Sequence, residues 1–185
     1  KYGSLVACDQ LNFHIHAGEL FGFLGPNGAG KTTTIKMLTG LLTPTSGAAR
    51  IAGINVQEQP VLAKEKMAFV PDSPNIYDKL TAREFLQFAA ELRAIEQEEA
   101  TRRIGALLGV FELSERADEL CGGFSHGMRQ KVCLSAALLA RPRVLFLDEP
   151  TVGLDPKSAR LIKDILRDFV SKGGTVFMST HILEI

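Results

Sequence analysis

Gly25-Pro26-Asn27-Gly28-Ala29-Gly30-Lys31-Thr32 lies between a short apolar run and a segment with helical spacing. The apolar run at 19–24 predicts a strand, and residues 31–42 place apolar side chains on one face of a helix. Glycines at this spacing let backbone N–H groups approach phosphate oxygens closely, and the helix adds its positive N-terminal end. Because a strand precedes the loop and a helix follows it, we interpret it as a phosphate-binding loop rather than an ordinary glycine-rich turn.

Two side chains at the end of this loop have a defined chemistry. Lys31 can reach the β- and γ-phosphates of a nucleotide, and the Thr32 hydroxyl can ligate Mg²⁺. The predicted ATP-binding residues of the loop are Gly25, Pro26, Asn27, Gly28, Ala29, Gly30, Lys31, Thr32 and Thr33.

A second candidate element is the apolar run Val144–Leu147, which is followed by Asp148 and Glu149. Such a run is typical of a strand buried on both faces, and ligands of parallel α/β sheets bind at the carboxyl ends of strands. Neighbouring strand residues point to opposite faces, so we expect Asp148 to hold Mg²⁺, directly or through water, and Glu149 to act as the base for the attacking water. The alternative is an acidic turn without a ligand, which the phosphate loop in the same chain disfavours.

A histidine follows another predicted strand at the same kind of position. His181 comes directly after the β-rich run Thr175–Ser179. A lone histidine there is more often structural than catalytic, but the neighbouring phosphate loop favours a contact with the γ-phosphate or the attacking water.

Strands alternate with helices along the chain, which predicts a parallel sheet covered on both faces. Thr81 and Glu84 have the spacing of a capping box and mark the start of a helix. We expect a helical insert at about 80–140. The further predicted strands are 5–15, 48–56 and 67–70, and the further helices are 85–92, 98–108, 127–140 and 157–170.

Composition limits the function further. Lys plus Arg and Asp plus Glu are each 21, so no overall charge attracts the chain to nucleic acid, and we expect no nucleic-acid partner. Cys8, Cys121 and Cys133 lack metal-ligand spacing and are interpreted as reduced thiols. No apolar run approaches the ~20 residues needed to span a bilayer.

Five motifs together resemble one family, the ATP-binding cassette (ABC) ATPases. Their order along the chain is typical of that family, and the resemblance covers nearly the whole chain. The motifs are the Walker A motif at Gly25–Thr33, the signature loop at Phe124–Met128, the Walker B motif within Val144–Pro150, the D-loop at Gly153–Asp155 and the switch-histidine loop at Ser179–His181.

The resemblance implies a fold and an assembly. It implies an α/β P-loop NTPase with a mostly parallel sheet core, an antiparallel β subdomain and a helical insert. The chain would be a single ABC ATPase domain, cut at both ends, with a nucleotide-binding core at 1–79 and 141–185 and a helical subdomain at 80–140. Such domains act in head-to-tail pairs that enclose two ATP molecules.

The resemblance also implies residue roles. Ser125, His126, Gly127 and Met128 would face the phosphates bound by the partner copy, and Asp155 would cross the interface between copies. Tyr2 lies where the family has an aromatic residue stacked on adenine. Taken without the family, Tyr2 could be a packing residue and residues 122–128 a glycine-rich loop before a helix.

Two departures from the family pattern concern these loops. His126 stands where the usual signature has glycine, and Met128 stands where it has glutamine. Asp72 occupies the Q-loop position, where a glutamine would offer a neutral carbonyl to Mg²⁺ and water. These variants resemble those of exporter-type cassettes with separate membrane subunits.

The resemblance finally implies an ATPase subunit of an ABC transporter. It would use ATP and Mg²⁺, pair with a second ATPase subunit, as a homodimer, and drive a membrane permease subunit from the cytoplasmic face of the membrane. Two alternatives remain open: a cassette ATPase that acts on the ribosome or DNA, and a nucleotide-binding regulatory module without turnover.

Overall fold

The computed structural model describes residues 4–181. The secondary structure alternates between strands and helices, with short 3₁₀ turns at Ser114–Arg116 and Cys121–Gly123. The elements are β1 Leu20–Leu24, α1 Lys31–Leu38, β2 Arg50–Ile51, β3 Ile54–Asn55, α2 Pro60–Glu65, β4 Met67–Val70, α3 Ala82–Leu92, α4 Gln97–Val110, α5 His126–Leu139, β5 Val144–Asp148, α6 Pro156–Ser171 and β6 Thr175–Thr180.

Backbone contacts divide the chain into two compact units. Among the described residues, the core unit comprises 4–69, Pro142–Pro150 and 165–181, and the helical unit comprises Val70–Arg141 and Thr151–Asp164. The division at residues 80 and 140 expected from the sequence stays a prediction.

The main sheet has the strand order β1-β6-β5-β4. β6 lies parallel to both β1 and β5, with Leu24 opposite Thr180 and Asp148 opposite Ser179. All residues of β6 are buried, as expected of a strand covered on both faces. This register brings the carboxyl ends of β1, β5 and β6 to one edge of the sheet.

Aromatic side chains fill much of the core unit. Phe177 of β6 is buried, and its ring centroid lies 5.4 Å from that of Phe21 and 5.6 Å from that of Phe146. Phe146 and Phe177 belong to the same apolar cluster as Ile35 of α1. Burial of such rings contributes roughly 1.5–3 kcal/mol each, so this cluster fixes α1 and the phosphate loop before it against the sheet.

The expected strand at 48–56 is instead a small antiparallel hairpin. Strands β2 and β3 pair through Ile51 and Ile54. Ala52 and Gly53 between them have φ values of 50° and 83°, which suits a tight hairpin turn. The apolar pattern identified the β structure, but the turn has only one glycine to mark it.

The expectation of a strand at 5–15 is wrong for the described residues. Leu5 forms a single bridge, and the rest of the segment has irregular backbone. Phe13 nevertheless stacks on Phe21, with ring centroids 5.8 Å apart. The alternating pattern therefore reflects side-chain packing rather than a hydrogen-bonded ladder.

The helical unit contains α3, α4 and α5, which pack against one another. The capping box is confirmed: the Thr81 hydroxyl accepts from the Glu84 N–H, and the Glu84 carboxylate accepts from the Thr81 N–H. Burial raises the pKa of the Cys133 thiol to about 12 and also raises the pKa of Cys121, so both thiols stay protonated. Within residues 4–181, no helix has the length and hydrophobicity needed to cross a membrane.

Candidate functional site

The phosphate loop connects β1 to α1 at the carboxyl edge of the sheet. The Gly25 N–H donates to the Thr180 carbonyl over 3.3 Å, which ties the start of the loop to the end of β6. Gly28 has a φ of 82°, and a Cβ there would meet no atom within 4 Å. Its glycine is therefore required by the backbone conformation rather than by crowding.

At position 30, glycine is required both by the backbone conformation and by crowding. Its φ is 88°, and a Cβ at this position would lie 2.5 Å from the Ala7 carbonyl oxygen and 3.0 Å from Cys8 Sγ. The Cys8 thiol also donates to the Gly30 carbonyl over 3.6 Å. The segment before β1 thus packs against the phosphate loop at Gly30, a contact that the sequence did not predict.

Lys31 is held inside the loop by oxygen atoms. Its Nζ donates to the carbonyls of Gly25, over 2.7 Å, and Pro26, over 3.2 Å. The same atom lies 3.2 Å from Glu149 Oε1, and the residue is only 6% exposed. The Lys31–Glu149 contact is a charge contact, because Oε1 has no partner in hydrogen-bonding geometry. The structure thus places a buried cation where the sequence predicts phosphate.

Asp148 is held between two hydroxyl groups. Thr32 Oγ1 donates to Asp148 Oδ2 over 2.7 Å, and Ser179 Oγ donates to Oδ1. The carboxylate is buried. Ser179 was predicted as a strand residue; its opposite position to Asp148 in the sheet register could only be known from the fold.

Thr32 and Asp148 fit a magnesium ion by their chemistry. A hydroxyl and a carboxylate are hard oxygen ligands, which Mg²⁺ prefers. Over the described part of the chain, no cluster of three or more His, Cys, Asp or Glu residues could hold a metal. Such an ion would therefore take its other ligands from phosphate and water, as Mg²⁺ commonly does.

Glu149 lies just beyond β5 and adopts a φ of 50°, unusual for a residue with a side chain. Its N–H donates to both the carbonyl and the hydroxyl of Ser179, each over 3.2 Å. His181 Nδ1 donates to Glu149 Oε2 over 3.0 Å. A backbone turn, rather than the expected alternation along a strand, therefore separates the two carboxylates.

The candidate signature residues lie in the helical unit, at the start of α5. Ser125 is the N-cap, and its hydroxyl accepts from the Met128 N–H over 3.3 Å. His126 Nε2 donates to the Val152 carbonyl over 3.2 Å. A Cβ on Gly127 would lie 3.6 Å from Ser158 Oγ and 3.8 Å from Asp155 Oδ2. The signature loop and the D-loop are therefore neighbours within this unit.

The other predicted site residues have varied surroundings. Asp155 accepts hydrogen bonds from Ser158, which lower the pKa of its carboxyl group. Asp72 is exposed and accepts from the Ser73 N–H over 2.7 Å. Tyr2 lies outside the described residues.

Comparison with known proteins identifies the family. A family model described as "ABC transporter" matches residues 8–152. The chain is 38% identical over 184 residues to the Nod factor export ATP-binding protein I of Burkholderia pseudomallei, covering 100% of this chain and 60% of that protein. It is also 38% identical over 184 residues to human ATP-binding cassette sub-family A member 2, covering 100% of this chain and 8% of that protein.

Comparison with solved structures identifies the same family. An ATP-binding subunit of an ABC transporter superposes with a TM-score of 0.90 at 35% identity, over 98% of this chain and 76% of that one. An ATP-binding cassette solved as a dimer in a post-hydrolysis state with ADP and Pi superposes with a TM-score of 0.85 at 28% identity. The superposition covers 96% of this chain and 81% of that one. The chain therefore belongs to the ABC transporter family and has the fold of its ATP-binding subunits.

Proposed function

We propose that this chain binds and hydrolyses ATP and couples hydrolysis to transport through a separate membrane permease. The observation that carries the proposal is the meeting of five side chains at one sheet edge. Lys31 contacts Glu149, Glu149 contacts His181, and Thr32 contacts Asp148. These are the groups that phosphoryl transfer to water requires: a cation for the phosphates, oxygen ligands for a metal, and a base for water.

Each group has a distinct task in this proposal. Lys31 and the loop N–H groups bind the β- and γ-phosphates. Thr32 and Asp148 would hold Mg²⁺, which when bound neutralises phosphate charge. Glu149 accepts the proton of the attacking water, and His181 orients it through the 3.0 Å hydrogen bond. Phosphate entering the loop gives Lys31 a new anionic partner and releases Glu149 for this task.

The ATP site is shared between two copies in this proposal. At the α5 N-terminus, where Ser125 is the cap, the first N–H groups have no carbonyl partner within the helix, and the helix dipole adds a positive end; both suit a phosphate. That end lies in the helical unit, whereas the phosphate loop lies in the core unit. A related cassette was solved as a dimer, which supports a pair of copies. In this proposal the pair is head-to-tail, and Asp155 lies at its interface. Tyr2 would stack on adenine.

The transport direction and location extend the same proposal. The bacterial relative is named for export, which favours an exporter-type subunit. In this proposal the subunit acts as a homodimer on the cytoplasmic face of the membrane. The surface around Asp72 and Tyr77, which belong to the helical unit, would pass the motion of the pair to the permease together with the rest of that unit. Asp72 offers a charged carboxylate at the Q-loop position.

The test compares two lysines of α1. Lys31→Ala removes the phosphate-binding cation and is expected to abolish ATP binding and phosphate release. Lys36→Ala removes an exposed cation of the same helix and is expected to leave both unchanged. Equal activity of the two variants would contradict the proposed site. Wild-type protein that binds ATP without releasing phosphate would contradict turnover and leave a regulatory nucleotide-binding module.

A further inference from the structure

Arg129, in the first turns of α5, connects three parts of the helical unit. Its Nη2 lies 2.8 Å from Asp78 Oδ1 and donates to the Gly122 carbonyl over 3.4 Å. Its Nε donates to the Phe124 carbonyl over 3.4 Å. The guanidinium thus reaches two backbone oxygens of the segment 120–124, which leads into the signature loop, and one carboxylate outside it.

The segment 120–124 also lies directly on the backbone before α3. The Gly122 N–H donates to the Asp78 carbonyl over 3.0 Å, and the Cys121 N–H donates to the Leu80 carbonyl over 2.8 Å. Leu120 forms an antiparallel bridge with Thr81. The path of the chain into Ser125 therefore depends on how residues 78–81 are placed.

Crowding adds to this dependence. A Cβ on Gly122 would lie 3.1 Å from the Asp78 carbonyl oxygen, so a side chain there would push the two backbones apart by a few tenths of an ångström. Arg129 then fixes the remaining freedom, because its planar fork binds the carbonyls on both sides of Gly123 while Asp78 holds the fork in place.

We propose that Arg129, anchored by Asp78, is a positioning residue for the signature loop: it sets the orientation in which Ser125 and the N–H groups of α5 meet the phosphate of a partner copy. The inference rests on the proposed function, since it concerns the shared site. A donor displaced by about 1 Å can cost about 100-fold in rate, so a loop held by one side chain is sensitive to its loss.

The proposal predicts a separation of effects. The Arg129 side chain is 24% exposed, but that of its partner Asp78 is 65% exposed, and an ion pair with such a solvent-exposed member contributes little to stability. Loss of the pair should therefore leave folding nearly intact. ATP binding by the phosphate loop should also be unchanged, because Lys31 and its partners lie in the core unit. Turnover should fall, since it needs the signature loop of the second copy.

The experiment measures phosphate release against ATP concentration, binding of a fluorescent ATP analogue and Tm in the full chain. Arg129→Gln is expected to lower kcat at least about tenfold, with analogue binding within about twofold and Tm within a few degrees of wild type. Asp78→Asn should lower kcat less than Arg129→Gln does. Arg129→Lys should have a kcat between those of Arg129→Gln and wild type, because lysine keeps the charge but not the fork.

Arg83 and Asp118 provide the matched control. They form an ion pair of 2.7 Å in the same unit with side chains 49% and 73% exposed, and Arg83→Gln should leave all three quantities unchanged. A kcat of Arg129→Gln equal to that of Arg83→Gln would overturn the inference. The inference would also be overturned if Arg129→Gln lowered Tm, analogue binding and kcat in proportion to one another, because that pattern indicates a structural role.

Two further outcomes are also decisive. If Arg129→Gln does not fold, Asp78→Asn answers the same question, and wild-type kcat in that variant overturns the inference. Wild-type protein that releases no more phosphate than Lys31→Ala overturns the proposed function and this inference with it.

Discussion

Lys31 Nζ lies 3.2 Å from Glu149 Oε1, and both side chains are largely buried, at 7% and 14% exposure. The cation proposed to bind phosphate and the carboxylate proposed to direct water therefore neutralise one another. A buried charge needs such a partner, because desolvation alone would cost several kcal/mol. Phosphate and Glu149 consequently compete for Lys31, and nucleotide binding should depend on both residues.

This competition gives a first prediction. Glu149→Gln removes the competing negative charge and should strengthen ATP binding by about tenfold, equivalent to about 1.4 kcal/mol. Titration with a fluorescent ATP analogue measures the affinity. Glu115→Gln, an exposed change in the helical unit, should leave the Kd unchanged. Weaker binding in Glu149→Gln than in this control would refute the competition.

His126 gives a second prediction about the departure from the usual signature. Its Nε2 donates to the Val152 carbonyl over 3.2 Å and thereby connects the signature loop to the residues before the D-loop. His126→Ala removes this bond and should lower kcat about fivefold, the value of one hydrogen bond of about 1 kcal/mol. His126→Gln places a donor at a similar reach and should retain most of the rate. Equal rates in the alanine variant and wild type would exclude a role for this bond.

Gln130 gives a third prediction, on stability. The residue is 1% exposed, and neither amide atom has a hydrogen-bond partner within residues 4–181. Gln130→Met keeps the length of the side chain and removes the unpaired amide, so the free energy of unfolding should rise by about 1 kcal/mol. Urea unfolding measures it, with exposed Gln59→Met as the control that should change little. A loss of stability would contradict the gain expected from removing an unpaired buried amide.

Glu99 gives a fourth prediction, on pH. Hydrogen bonds from Arg102 and Arg103 lower the pKa of its carboxyl group to about 2 in the folded chain, below the ~4.3 of an unfolded glutamate. The stabilisation is therefore complete above the unfolded pKa and is lost as the pH falls towards about 2.

Glu99→Gln should accordingly destabilise the chain at pH 7 but not near pH 2. Urea unfolding across this range tests it, and Glu98→Gln, in the same first turn of α4, is the control. A difference between wild type and Glu99→Gln that does not shrink with acid would contradict the shifted pKa.

The sequence was sufficient for those parts of the fold that rest on local patterns. Glycine spacing identified the loop at Gly25–Thr32, and the apolar runs identified β4, β5 and β6 to within one residue. Capping-box spacing located the start of α3. These features depend on residues close together in the chain, so their physical causes can be read directly.

The remainder depends on contacts between distant residues. Ser179 reaches Asp148 only because β5 and β6 are neighbours in register. Cys8 touches Gly30, and Asp78 touches Arg129, across separations that no spacing rule covers. Glu149 turns through a φ of 50° that a strand pattern does not predict. Long-range packing, rather than propensity, decides these positions.

The most direct test of the central claim uses the variant Glu149→Gln. It measures the rate of phosphate release and the molecular mass of the protein in the presence of ATP and magnesium. Removal of a general base typically costs about 10²–10⁴-fold in rate, so turnover should fall by at least about 100-fold. Because ATP binding should survive, the variant should also accumulate as an ATP-bound pair with twice the mass of one chain. Turnover at the wild-type rate, without accumulation of the pair, would contradict a shared hydrolytic site built on Glu149.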